Sequence, residues 1–313
     1  MAKLSHRLLL SAILAAGLFL AQDAEATESR RASSAEPSLT IVGEAAPFLP
    51  GIVSTPEFSE IRLTLSPDGK AALWFSRDRP GGAGGYDIWI ARRSGKGWTE
   101  PKPVPFNSPS RDFDPAFSAD GRYMYFCSDR PGGLGGDDLY RVVMTEDGFD
   151  AVEHLGPSVN SIGNEFAPML SPDGTRLLFS SDRPGGAGGH DLFVALQRAD
   201  QTFEPARRLE GDINTAANEF DATFLSDGHS MVFARTMDFR KDRVDMFFAP
   251  RREARYGAGT LLPQTVNSGD QDTYGAMLDW SHPNRFTVSA QKAGAASLDL
   301  YLVQYTLEPE LPR

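Results

Sequence analysis

The chain has 313 residues and carries 42 acidic against 31 basic side chains, a formal net charge of -11. That surplus argues against sequence-independent binding to nucleic acid or anionic lipid, since either needs a basic surface for phosphate. A single cysteine, Cys127, excludes an internal disulfide, and a chain of this length buries an adequate core without one.

In chain order, Lys3 and Arg7 precede the apolar run Leu8 to Leu20, and Ala24-Glu25-Ala26 offers small residues at cleavage positions, the pattern of a signal peptide over residues 1–26. The run falls short of the roughly 20 residues that span a bilayer. No membrane span is therefore expected after signal removal, and the product is expected to be periplasmic or secreted. Residues 27–38 are small and polar and read as a flexible leader, with one domain over residues 39–313.

Self-similarity dominates the rest. Leu65-Ser66-Pro67-Asp68-Gly69 recurs as Phe117-Ser118-Ala119-Asp120-Gly121, Leu170-Ser171-Pro172-Asp173-Gly174 and Phe224-Leu225-Ser226-Asp227-Gly228, with aspartates 52, 53 and 54 residues apart. One further step reaches Ser281, in a degenerate fifth copy Leu278-Asp279-Trp280-Ser281-His282. Within a copy the apolar runs are short, aromatic or β-branched, and bounded by Gly, Pro, Asp and Asn, which predicts strands. In the third copy these are Phe166 to Leu170, Arg176 to Ser180, Asp191 to Leu196 and Phe203 to Leu209. The Asp-Gly turn joins the first two as a hairpin, its glycine tolerating positive φ.

Five four-stranded units predict an all-β, five-bladed β-propeller. The last copy reaches the chain end before its outermost strand, and Leu39 to Leu49, ahead of the first copy, has the composition to fill that place. The N-terminal strand is therefore expected to complete the last blade. Cys127, inside the apolar run from Tyr123, reads as a buried structural thiol.

The blocks Leu-Ser-Pro-Asp-Gly and Phe-Ser-x-Asp-Arg-Pro-Gly-Gly-x-Gly-Gly-x-Asp resemble the WD-like (PD-repeat) propeller units of TolB-type proteins over about residues 55–305. The match is strongest at Ser76 to Ile88, Ser128 to Leu139 and Ser181 to Leu192; copies four and five depart in their glycine loops. The resemblance implies a propeller that docks other molecules. Family members include envelope proteins that bind proteins, and propellers joined to peptidoglycan-binding or peptidase domains, neither of which this chain has room for beside its propeller.

Two recurring features map to the face where the channel opens. Just before each inner strand stands a carboxylate: Glu60, Asp112, Glu165 and Glu219, with Thr273 in the fifth copy and Asp272 beside it. Read functionally, these acids ring the mouth, repel one another and bind a cation or basic group; read structurally, each accepts hydrogen bonds from loop amides. The second feature is the glycine loop with flanking aspartates, Asp78 and Asp87, Asp129 and Asp138, Asp182 and Asp191, which either cap free amides or ligate calcium. No other cofactor is indicated. Asn107, Asn160, Asn214 and Asn267, each followed by Ser or Thr, read as turn-formers.

Blade four breaks the repeat with a charged loop holding Arg235, Asp238, Arg240, Lys241 and Arg243, a candidate partner contact or a solvated hairpin tip. HExxH, CxxC and GxSxG signatures are absent, and His154, His190, His229 and His282 stand alone. The sequence thus favours a non-catalytic protein that binds an envelope protein, a peptide or a glycan at the channel mouth. The alternative is a polysaccharide-acting glycosidase or lyase using mouth carboxylates.

Overall fold

The computed structural model describes residues 37–308 apart from 146, 147 and 293; the expected signal peptide and nearly all of the leader lie outside the described residues. Strands alone make up the regular structure there, and no helix is long and apolar enough to cross a membrane.

Five antiparallel four-stranded sheets follow in order, as the repeat predicts. Their inner strands are Glu60–Leu65, Asp112–Phe117, Glu165–Leu170, Asn218–Phe224 and Thr273–Leu278, and these pack against one another in a closed ring from the fifth back to the first. The second strands, such as Ala71–Arg77 and Arg176–Ser181, are buried along nearly their whole length. Each lies in a blade covered on both sides by its neighbours, which explains why these runs are continuously apolar instead of alternating. The outermost strand of the third blade is shorter than expected, Arg207–Arg208 with a bridge at Phe203.

Ser38–Pro47 pairs with Asp299–Glu308 on the outer edge of the fifth blade, so the N-terminal strand closes the ring as expected. The degenerate fifth turn keeps its chemistry by exchange. Ser66, Ser118 and Ser171 donate their hydroxyls to Asp68, Asp120 and Asp173 two residues on; in blade five the hydroxyl of Ser281 donates backwards to Asp279 at 2.6 Å.

Every inner strand carries a β-bulge at the same place, and the bulged residue sits in the left-handed region: Arg62 at φ 58°, Asp114 at 53°, Ala167 at 57°, Asp221 at 47° and Gly275 at 72°. For a non-glycine residue this conformation is strained, by about 1–3 kcal/mol, and persists only where surroundings hold it. What holds it is a set of contacts around the propeller axis.

Candidate functional site

The four acids of the expected ring are fully buried, and their oxygens are already taken. Glu60 accepts from the amide and hydroxyl of Thr55, Asp112 from those of Ser108, Glu165 from those of Ser161 and Glu219 from those of Thr215. Each also meets a guanidinium: Arg79 at 3.3 Å, Arg130 at 2.5 Å, Arg183 at 3.1 Å and Arg235 at 2.7 Å. The arginines in turn lie over aromatic rings of their own blades, Trp89, Phe126 and Tyr140, Phe193, and Phe247 among them, at 4.6 to 5.2 Å. Glu60, Asp112, Glu165 and Glu219 are thus each held by a hydroxyl, an amide and a guanidinium of the protein itself. Asp272 is exposed, and its Oδ1 accepts from the amide of Val244 at 3.0 Å.

Blade four reaches the same clamp by another route. Opposite Glu219 the second strand has Arg235, where the first three blades have Ser76, Ser128 and Ser181, so the cation comes from the strand and not from the loop. Arg235 thus lies in the strand Met231–Thr236, bound to Glu219. In blade five Thr273 replaces the acid and Lys292 the arginine, its ammonium donating to the carbonyl of Val266 at 3.1 Å. Blade one is the loosest clamp: its loop has one more residue, and burial pushes the carboxyl of Glu60 up to about 8 against the pull of Thr55 and Arg79.

The glycine-loop aspartates divide into separate tasks. Asp87, Asp138 and Asp191 turn back to accept from the amides of Ala83, Leu134 and Ala187, and a Cβ on Gly82, Gly133 or Gly186 would collide with those carboxylates. Asp129 and Asp182 accept from the entry loop of their own blade, at the amides of Arg111 and Asn164, while Asp78 pairs with Arg77 at the surface. Among the described residues no three His, Cys, Asp or Glu side chains converge as a metal site would require. The Asn side chains bridge both backbone groups of a third-strand residue, Asn160 to Leu139 and Asn267 to Met246 for example. Ser54 fills that place for blade five, donating to Phe48 and accepting from Leu300.

The axis itself is plugged by a residue the repeat does not announce. Arg62 is fully buried and touches all four other blades: Asp221 at 3.1 Å, the carbonyl of Pro168 at 3.0 Å, Asp114 at 3.9 Å, and Ser289, whose hydroxyl accepts from the Arg62 amide at 2.8 Å. Asp114 and Asp221 in turn accept from the amides of Ala167 and Gly275. Two carboxylates face one guanidinium, and burial together with the charge of Asp221 pushes Asp114 up to about 8. Burial raises Asp221 as well, so the two carboxyls share one buried cation and titrate together.

Above this plug the mouth is aromatic. Phe166, Phe220 and Tyr274, each following the clamp position of its blade, form a row of tilted rings with centroids 6.2 and 6.4 Å apart. Outside them an arc of exposed apolar side chains crosses three blades: Leu134 at 47%, Ile162 at 79%, Met237 at 65% and Phe239 at 48%. Backbone bonds tie the arc together, from Gly136 to Gly163 and from Gly189 to Ala217, and the side-chain amide of Asn218 donates to the carbonyl of Met237. Phe239 lies against His190 at 5.6 Å and Phe220 at 5.0 Å. Beside the arc, Arg111 bridges Asp129 at 2.9 Å and Asp137 at 2.7 Å, and burial holds Asp137 up at about 6. In the blade-four loop, Asp238 pairs with Lys241 at 2.9 Å and caps the amide of Arg240, while Arg243 pairs with Asp245 and donates to the carbonyl of Gly269. Arg235, Asp238, Lys241 and Arg243 are thus each in an ion pair, and it is Met237 and Phe239, between them, that stand out. Their signal was legible as two large apolar residues at the tip of a polar loop.

No family model matches the chain, and no curated protein matches it in sequence. Among solved structures, an alpha-L-arabinofuranosidase from Lactobacillus brevis is 9% identical over 79% of this chain and 90% of its own, with a TM-score of 0.53. An endo-arabinase from Bacteroides thetaiotaomicron is 13% identical over 84% and 97%, at 0.50. TolB from Acinetobacter baumannii is 15% identical over 80% of this chain and 56% of that one, at 0.46, so this chain spans little more than half of that TolB's length. At such identities the likeness shows the fold alone: the chain is a five-bladed β-propeller whose structural neighbours include TolB propellers and glycan-acting propellers.

Proposed function

We propose that this is a secreted or periplasmic, non-catalytic binding propeller that engages a protein or peptide through its channel-mouth face. One observation carries the reading: the arc of Leu134, Ile162, Met237 and Phe239 stands exposed on loops of three successive blades, beside a channel plugged at Arg62. Large apolar side chains gathered on one surface are costly in water and mark contact surfaces. An aromatic anchor with a polar surround is the usual anatomy of a binding patch. A photo-cross-linker placed at position 162 or 239 should capture a defined partner in the native envelope, and one placed at Arg207, on an outer strand, should not. Equal labelling at all three positions would count against the reading.

The catalytic alternative has one observation in its favour. Asp114 and Asp221, both raised by burial, stand on either side of Arg62, two facing carboxyls of the kind glycoside cleavage requires. Both are nearly inaccessible, at 4% exposure, and each has an oxygen engaged by a backbone amide. Turnover of an arabinan or other polysaccharide that Asp221→Asn abolishes would establish that alternative.

A further inference from the structure

The opposite face of the propeller holds a groove of about 900 Å³ at the seam where the N-terminal segment, blade five and blade one meet. Phe48, Pro67 and Trp98 form its apolar walls, and Lys70, Arg93 and Arg285 its cations, against one carboxylate of its own, Asp68. In a chain of net charge -11 this is a local reversal of sign.

The cations differ in how far they are already engaged. Arg285 is bound to the buried Asp279 at 2.5 Å, and Lys70 lies 3.5 Å from Asp68 with both side chains exposed. Arg93 has no carboxylate partner among the described residues: it faces Trp98 across the hairpin and holds its guanidinium 4.8 Å over the indole ring. A guanidinium laid on an aromatic face keeps its charge and its N–H edge, and is orientated in advance for a planar anion. Trp98 is itself braced by Phe48, ring to ring at 5.8 Å, so the closing strand's end supports the site.

From this geometry we infer that the seam groove is a second binding site, for an acidic polysaccharide whose carboxylates pair with Arg93 and Lys70 and whose sugar rings lie against Pro67 and Trp98. Carboxylate and guanidinium match as a two-pronged pair. The apolar walls match the C–H faces of pyranose rings, and the volume holds several such rings. The site is independent of the channel-mouth arc and does not rest on it.

The test uses the full chain with a galacturonate tetramer as probe, a neutral cellotetraose and a tetraglutamate peptide as comparisons, and calorimetry together with tryptophan fluorescence as readouts. The galacturonate tetramer should bind and weaken as salt is raised, and cellotetraose should bind at least about tenfold more weakly, since each charge-assisted pair carries a large share of affinity. Arg93→Ala and Trp98→Ala should each weaken the uronate about tenfold or more. Arg93→Lys keeps the charge without the fork and should fall between, and a thermal melt of each variant confirms folding. A Phe239→Ala variant should bind it unchanged, which separates this site from the mouth. Equal binding of the neutral tetramer, tighter binding of tetraglutamate, unaltered affinity in Arg93→Ala, or no uronate binding at millimolar concentration would each overturn the inference.

Discussion

Arg62 Nη1 lies 3.1 Å from Asp221 Oδ1, an ion pair that joins blade one to blade four across the axis, between residues 159 positions apart. Both side chains are almost wholly buried, so removing one leaves the other charged without compensation. Arg62→Met should lower stability by about 3–5 kcal/mol in a urea titration. Combined with Asp221→Asn it should cost less than the sum of the two single changes, because the second removes the charge that the first strands. Additive losses would mean that the pair does not couple the blades.

The neighbouring carboxyl predicts a pH dependence. Asp114 is pushed up to about 8 in the folded chain, from 3.8 ordinarily. The native state therefore keeps a proton that the unfolded chain has released, so this group's contribution is complete at acid pH and is lost as pH rises toward 8. Asp114→Asn has nothing to ionise, and its stability relative to wild type should climb steadily from pH 5 to pH 8. A constant difference across that range would contradict the buried, protonated assignment.

The clamps should be unequal. Glu219 holds Arg235 at 2.7 Å and two groups of Thr215, whereas Glu60, pushed up to about 8 by burial, holds its charge less firmly at neutral pH beside an arginine at 3.3 Å. Glu219→Gln should cost about 2 kcal/mol or more, the range for a bond to a charged group. Glu60→Gln should cost less than about 1 kcal/mol, as isosteric changes with little loss of charge do. Chemical denaturation of the two variants at pH 7 compares them directly.

Cys127 donates its thiol to the carbonyl of Glu165 at 3.1 Å, and burial pushes the thiol well above its ordinary pKa. A thiol-specific reagent should modify it only at the rate of unfolding, since the thiolate is the reactive form. Rapid modification in native buffer would show that the seam between blades two and three opens readily.

The propeller was readable from the sequence because its turns repeat: Ser66, Ser118 and Ser171 bond to the aspartate two residues on in every clear copy, and period and turn chemistry are both local. Blade five looked degenerate only because Asp279 and Ser281 exchange donor and acceptor, which leaves the turn intact while altering its letters. The site was harder. The recurring acids were found at their positions, but their partners, such as Arg183 eighteen residues beyond Glu165, decide whether an acid is a ligand or a clamp, and spacing alone does not show burial. Arg62 carries no repeat signal at all, since the equivalent positions are Asp114, Ala167, Asp221 and Gly275, and its meaning appears only when the five blades close on one axis. Charge drew attention to Arg235 and Arg243, which the fold pairs internally, and away from Met237 and Phe239, which it leaves exposed.

The most direct measurement is a pull-down from native envelope with wild-type protein beside an Ile162→Asp, Phe239→Asp double variant, each first shown by thermal melt to be folded. A partner captured by wild type and lost from the double variant is the expected result. Retention of the same partner by the folded double variant would show that binding does not use the apolar arc of the channel mouth.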